Sequence, residues 1–324
     1  MTHDLQPDQF AAYLRAVEVA PNGHPRAVRR KLRDKGVRFI LETCRGMYAF
    51  AAQRRHLPPY AGNPFAQLRL DRLRVEDAKT IFVFDANTEL AFLQACDAWA
   101  FPIHFTLAKT GLRVGELTHL LMEDLDLAGG WLFVRNKGDL GWRVKTGAER
   151  AVPLLQEVAA VLRRAIGARP AGPVFLRPRF QINTPILTGD RRTLARVLSD
   201  RQAALGEALT RSEGARLARG IWRDAGAVKS DAIRTTFIRV ASTIGHPEAT
   251  CPKSWRHTFA TLLQDANVDP LIRQQTLGHK PSSGSGLGMT ATYTHTRAET
   301  HRQQIEDALR RWPESLRLAE GGGR

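Results

Sequence analysis

Three short apolar stretches, Trp131–Arg135, Trp142–Lys145 and Arg150–Leu154, are set apart by Gly138, Gly141 and Gly147. Elsewhere the apolar residues recur mostly at helical spacing, so the sequence predicts a mainly α fold carrying one small antiparallel β-sheet, an α+β arrangement. Val37, Ile40, Leu41, Cys44, Tyr48 and Ala51 mark one face of a helix over 37–55, which Pro58 and Pro59 stop. Further helices are expected over 87–99, 102–110, 114–122 and 156–166. Residues 191–219 read as a basic helix or helical pair, 170–190 as Pro-rich and irregular, and most of the remainder as helical. A breaker cluster at Ala61–Phe65 and a basic stretch around 68–79 divide the chain. The expected organisation is a helical unit with its linker over 1–78, a larger unit over 79–318, and a disordered glycine tail over 319–324.

Charge narrows the partner. Lys and Arg number 48 against 32 Asp and Glu, a formal +16, and the excess is spread along the chain. Such a surface suits a polyanion, because each neutralised phosphate releases a condensed counterion. Cys44, Cys96 and Cys251 are odd in number and scattered, which suits neither a disulfide framework nor a zinc site. No apolar run reaches membrane-spanning length and the first residues lack a secretory pattern, so a cytoplasmic protein without membrane, metal or cofactor is expected.

Five phrases carry residues suited to phosphate chemistry. TGLRVGEL (Thr110–Leu117) sets Arg113 at a turn entering a helix, where its planar fork can meet a phosphate. KTGAERAVPL (Lys145–Leu154) sets Lys145 on a turn between strands. KSWRHTFA (Lys253–Ala260) places Lys253 and Arg256 three apart in a helical first turn, with Phe259, Leu262 and Leu263 on the buried side. LGHK (Leu277–Lys280) ends a helix at glycine and exposes His279. TATYTH (Thr290–His295) holds Tyr293 among small polar residues. Taken singly, each fits an ordinary surface or packed residue. Their order is what distinguishes the chain.

In that order the phrases resemble the boxes of the tyrosine recombinases, the phage-type integrases, over about residues 85–300. The resemblance implies that Arg113 and Arg256 hold a scissile phosphate, Lys145 acts as general acid, His279 supports the transition state and Tyr293 is the nucleophile. It further implies a helical core-binding domain ahead of the catalytic domain, and DNA cleavage and rejoining through a 3′-phosphotyrosine with a free 5′ hydroxyl. Double-stranded DNA would be the partner. The protein would be a monomer or dimer when free and a homotetramer on paired sites exchanging strands through a Holliday junction, with an accessory DNA-bending protein possible. A mobile element is the expected source.

Two departures stand out. Lys253 occupies the place where the family usually has histidine, and an ammonium can donate a proton but not accept one, so a charge-stabilising role is expected for it. His279 and Tyr293 are separated by a longer stretch than usual, with Pro281–Met289 resembling an insertion. Lys137 is a rival to Lys145 on the same hairpin. Two other functions remain open: a DNA-binding protein without catalysis, and a type IB topoisomerase, which shares this chemistry but works alone.

Overall fold

The computed structural model describes residues 6–20, 28–58, 60–68, 80–206, 209–279 and 296–321. The chain forms two compact units, Met1–Thr80 and Ile81–Arg324. In the smaller unit, α1 (Pro7–Ala16) precedes an antiparallel pair, β1 (Glu18–Val19) and β2 (Arg30–Lys31), and α2 (Asp34–Gln53). Ala11, Leu14, Val37, Leu41, Tyr48 and Phe65 form its core. Helix α1 lies in a stretch whose sequence reads only as polar and basic; Pro7 starts it, and Asp8 and Arg15 suit its two dipole ends.

The larger unit is mainly helical. Its helices are α3 (Ala86–Gln94), α4 (Ala100–Thr110), α5 (Val114–Leu117), α6 (Gln156–Ile166), α7 (Arg191–Ala203), α8 (Arg211–Asp224), α9 (Ser230–Thr243), α10 (Lys253–Asp265), α11 (Pro270–Leu277), α12 (Ala298–Leu309) and α13 (Pro313–Arg317). Two predicted helices end early. Over 87–99 the helix stops at Gln94 because Asp97 Oδ1 accepts from the Ala100 amide at 2.8 Å and starts a new one. Over 114–122 it stops at Leu117: the Thr118 hydroxyl and His119 Nδ1 engage the Gly115 carbonyl at 3.2 and 2.8 Å, and the chain turns away.

A three-stranded antiparallel sheet runs in the order β3 (Leu125–Asp126), β4 (Trp131–Val134), β5 (Arg150–Pro153), with Leu132 opposite both Leu125 and Val152. The stretch 142–145 is not one of its strands. Lys137 and Trp142 close a tight excursion through paired backbone bonds of 2.9 and 3.0 Å, with Gly141 at φ 68°. Beyond it, the Asn136 side chain accepts from the Val144 amide at 2.9 Å and donates to the Gly147 carbonyl at 3.0 Å. An asparagine thus replaces the neighbouring strand, and Leu125–Asp126 supplies the third strand instead. The sequence reading begins the tail at 319, but Ala319 is buried and its carbonyl accepts from Arg164.

Phe84 stacks on Trp255 at 4.0 Å, and Phe92, Phe237 and His104 complete an aromatic centre. Burial drives the His104 imidazole down to about 3 and, in a second cluster beside Trp142 and Trp222, His119 to about 4. Both stay neutral when folded, whereas an unfolded histidine gains its proton near pH 6.5. The unfolded chain therefore binds more protons below that pH, and each histidine costs stability as pH falls, until its folded value is reached. We expect urea midpoints to drop between pH 6 and 4, and His119→Gln to flatten that slope. An unchanged slope would show that His119 already gains its proton in the folded protein.

Candidate active site

The site is assembled from helix ends and one strand. Arg113 is extended (φ −71°, ψ 147°) just before α5, and Glu116 one turn later folds back on it, accepting from its backbone amide and from Nη1, both at 2.8 Å. Arg150, the first residue of β5, grips the same carboxylate with Nη1 at 3.0 Å and Nη2 at 2.7 Å. Its Nε donates to the Thr276 carbonyl at 2.8 Å, fastening the sheet to the end of α11. Arg256, in the first turns of α10, donates to the Gly111 carbonyl at 2.7 Å and to the Leu277 carbonyl. It therefore joins the C-terminal ends of α4 and α11, where carbonyl groups favour a cation. Both ends close on a left-handed glycine, Gly111 (φ 61°) and Gly278 (φ 62°). A side chain at Gly111 would collide with the Phe259 ring.

Two guanidinium groups, those of Arg113 and Arg150, thus share one carboxylate, and Arg256 lies close enough to feel its charge. Burial alone would raise the Glu116 carboxyl, but Arg150 and Arg113 reverse this and hold it below the ordinary range. Burial and then Arg113 lower the Arg256 guanidinium to about 10, which leaves it charged at neutral pH. His279, exposed just past Gly278, is held below the usual imidazole range by partial burial, then by Arg256, Arg113 and Arg150. The cluster is short of negative charge, an arrangement suited to an anionic group.

The structure brings Arg113, Arg256 and His279 into one electrostatic field. Lys145 is exposed on the turn leading into β5, and Lys253 is exposed at the start of α10. The rival Lys137 is 1% exposed, paired with Asp124 at 2.8 Å and lying over the Trp142 ring. Its ammonium is committed inside the fold. Tyr293 and the segment 281–289 lie outside the described residues. Sequence reasoning passed over Glu116, Arg150 and His257. Glu116 could have been found from its capping-box spacing to Arg113, and Arg150 from its place in the lysine phrase. His257, beside Arg256, is held below its usual range by burial, then by Lys253 and Arg256.

The unit is basic and mainly helical, and its helix ends and one strand converge on a cluster of arginines, one of them buried. Residues 72–300 match the phage integrase family, and the chain belongs to it. Among curated relatives, the tyrosine recombinase XerC of Pelobacter propionicus is 28% identical over 195 residues, 59% of this chain and 45% of the relative. The tyrosine recombinase XerD of Listeria monocytogenes serotype 4b is 28% identical over 189 residues, covering 58% and 47%. The chain thus spans about half the length of these relatives. Among solved structures, the Tn1549 transposon integrase in complex with a circular intermediate DNA shares the fold. Its TM-score is 0.55 at 21% identity, covering 93% of this chain and 83% of that one. No helix among the described residues is long and apolar enough to cross a membrane.

Proposed function

We propose that the chain is a site-specific tyrosine recombinase that cuts and rejoins duplex DNA. The observation that carries this reading is the convergence of three arginines: Arg113 and Arg150 on the Glu116 carboxylate, and Arg256, fixed by the Gly111 and Leu277 carbonyls, within their electrostatic reach. Arg113 and Arg256 would hold the non-bridging oxygens of the scissile phosphate, where negative charge grows during attack. The Tyr293 hydroxyl would give up its proton to solvent, and its oxygen would form a bond to phosphorus as the bond to the 5′ oxygen breaks, leaving a 3′-phosphotyrosine. Lys145, solvent-facing and free to reach a groove, would give its proton to the departing oxygen. His279, neutral at neutral pH, can donate a hydrogen bond to the phosphate without adding charge. Lys253 is exposed; an ammonium there would meet the phosphate as a charge donor, which fits charge stabilisation better than proton acceptance. Rejoining reverses these steps with the energy kept in the phosphotyrosine, so neither ATP nor metal is required.

The proposed assembly is a tetramer on two DNA sites, with the Met1–Thr80 unit as a second DNA-binding element and a mobile element as the setting. The test is covalent trapping on a nicked suicide duplex carrying the element's end sequence. The wild-type chain should give a denaturant-resistant adduct and Tyr293→Phe none, with unchanged binding. Binding without an adduct in the wild type would overturn catalysis and leave a DNA-binding protein. Relaxation of supercoils by the monomer would favour a topoisomerase.

A further inference from the structure

Helices α7 and α8 form a hairpin with a small core of its own, in which Leu194, Leu198, Ala218, Ile221 and Trp222 pack on Leu121 and Leu140. It is anchored to the excursion that precedes the Lys145 turn. Arg191 pairs with Asp139 at 2.8 Å, Trp222 Nε1 donates to the Leu140 carbonyl at 3.1 Å, and Trp222 meets His119, which stacks on Trp142. Nothing in the phosphate cluster uses these helices.

Their outer faces are basic. On α8, Arg216, Arg219 and Arg223 fall at helical spacings of three, four and seven, opposite the buried Ala218, Ile221 and Trp222. Ser212 and Ala215 are also exposed there, and the carboxylate nearest the arc, Glu213, feels the charge of Arg216 without pairing with it. Glu213 is turned to the Thr210 cap, and Asp224 is buried between Arg201 and Arg223. Among the described residues, Arg216 and Arg219 have no ion-pair partner. On α7, Arg192 and Arg196 are likewise exposed, one turn apart. Past the end of α8, Arg177 is lowered by burial and then by repulsion from Arg179 and Arg223, so the positive field continues there. Like charges three and four apart weaken an isolated helix. A polyanion along the face reverses that sign.

We propose that the α7–α8 hairpin is an accessory phosphate-binding arm, with the Arg216–Arg219–Arg223 face of α8 lying against the backbone of duplex DNA. The inference rests on duplex DNA being the partner. The stripe extends about 10 Å along the helix, at 1.5 Å per residue, enough to meet two or three phosphates on one strand. It offers no base-reading pattern, so it contributes affinity and registration rather than sequence choice. Because the hairpin is fixed to the 137–142 excursion, DNA held by this face is also held relative to the Lys145 turn.

The test is the salt dependence of binding to random-sequence duplex DNA, which requires no target site. In Arg216→Gln/Arg219→Gln the slope of log K against log salt should fall by about two, close to 0.9 per lost phosphate contact. Arg317→Gln, which removes an exposed arginine from α13, should leave the slope unchanged. Equal slopes for wild type and the double variant would overturn the proposal and assign the stripe to solvent or to another partner. A loss in the α13 control of the same size per charge would also overturn it, since net charge alone would then be responsible. If the wild-type chain itself fails to bind duplex DNA, the proposed function falls before this inference is reached. Normal suicide-substrate cleavage with an unaltered slope overturns the inference alone.

Discussion

Replacing Glu89 by alanine should destabilise the larger unit by about 3–5 kcal/mol, the usual result of leaving one member of a buried ion pair alone. Lys109 on α4 and Glu89 on α3 are bonded to each other with side chains 0% and 1% exposed. The ammonium also donates to Ser315 Oγ at 2.7 Å, so the pair ties α13 to the core. Without Glu89, Lys109 keeps a hydroxyl partner but no counter-charge, in a place that water does not reach. At about 2–4 °C per kcal/mol for a unit of this size, the melting temperature should drop by roughly 6–20 °C. The double variant Glu89→Leu/Lys109→Met removes both charges and keeps apolar volume, and should recover most of the loss. Calorimetry on the three proteins decides the matter: equal destabilisation of single and double variants would show that packing, not the buried charge, sets the cost. The prediction is independent of whether the chain acts on DNA.

Local patterns made part of this architecture legible. The glycine after Leu277 predicts a helix end that presents His279, and Gly278 does adopt the left-handed cap there. The entry of Arg113 into α5 and the apolar side of α10, with Phe259, Leu262 and Leu263 buried, follow from spacing in the same way. Three features did not follow. Arg150 meets Glu116 across 34 positions of sequence, and no local period encodes such a contact. The stretch 142–145 alternates as a strand should, yet the side chain of Asn136 occupies the bonding edge it would need. The sequence favours Lys145 over Lys137 only through its surrounding phrase, and nothing local in the sequence pairs Lys137 with the buried carboxylate of Asp124. The contribution of Tyr293 is read from its phrase alone, because it lies outside the described residues.

Arg256→Met should reduce the rate of DNA cleavage by at least about 10²–10³-fold, the effect of removing one fixed donor from a developing oxyanion. A guanidinium has five N–H donors. In Arg256 two of them are taken by the carbonyls of Gly111 and Leu277, which leaves three to address a phosphate. The carbonyl bonds hold the fork in place before DNA arrives, so no reorganisation is needed as charge builds. Arg256→Lys keeps a charge but has a single nitrogen, which cannot bridge both carbonyls and still reach the phosphate in a fixed plane. It should therefore restore little of the rate. The same carbonyls are left unpaired in Arg256→Met, at a cost of about 1–3 kcal/mol each, so folding must be checked by circular dichroism and melting. Single-turnover cleavage of the suicide duplex, with affinity measured separately, isolates the chemical step. A folded Arg256→Met protein that cleaves within tenfold of wild type would remove Arg256 from the reaction and leave it as a tie between α4 and α11. A rate loss far larger than the affinity loss would place its free donors on the phosphate in the transition state.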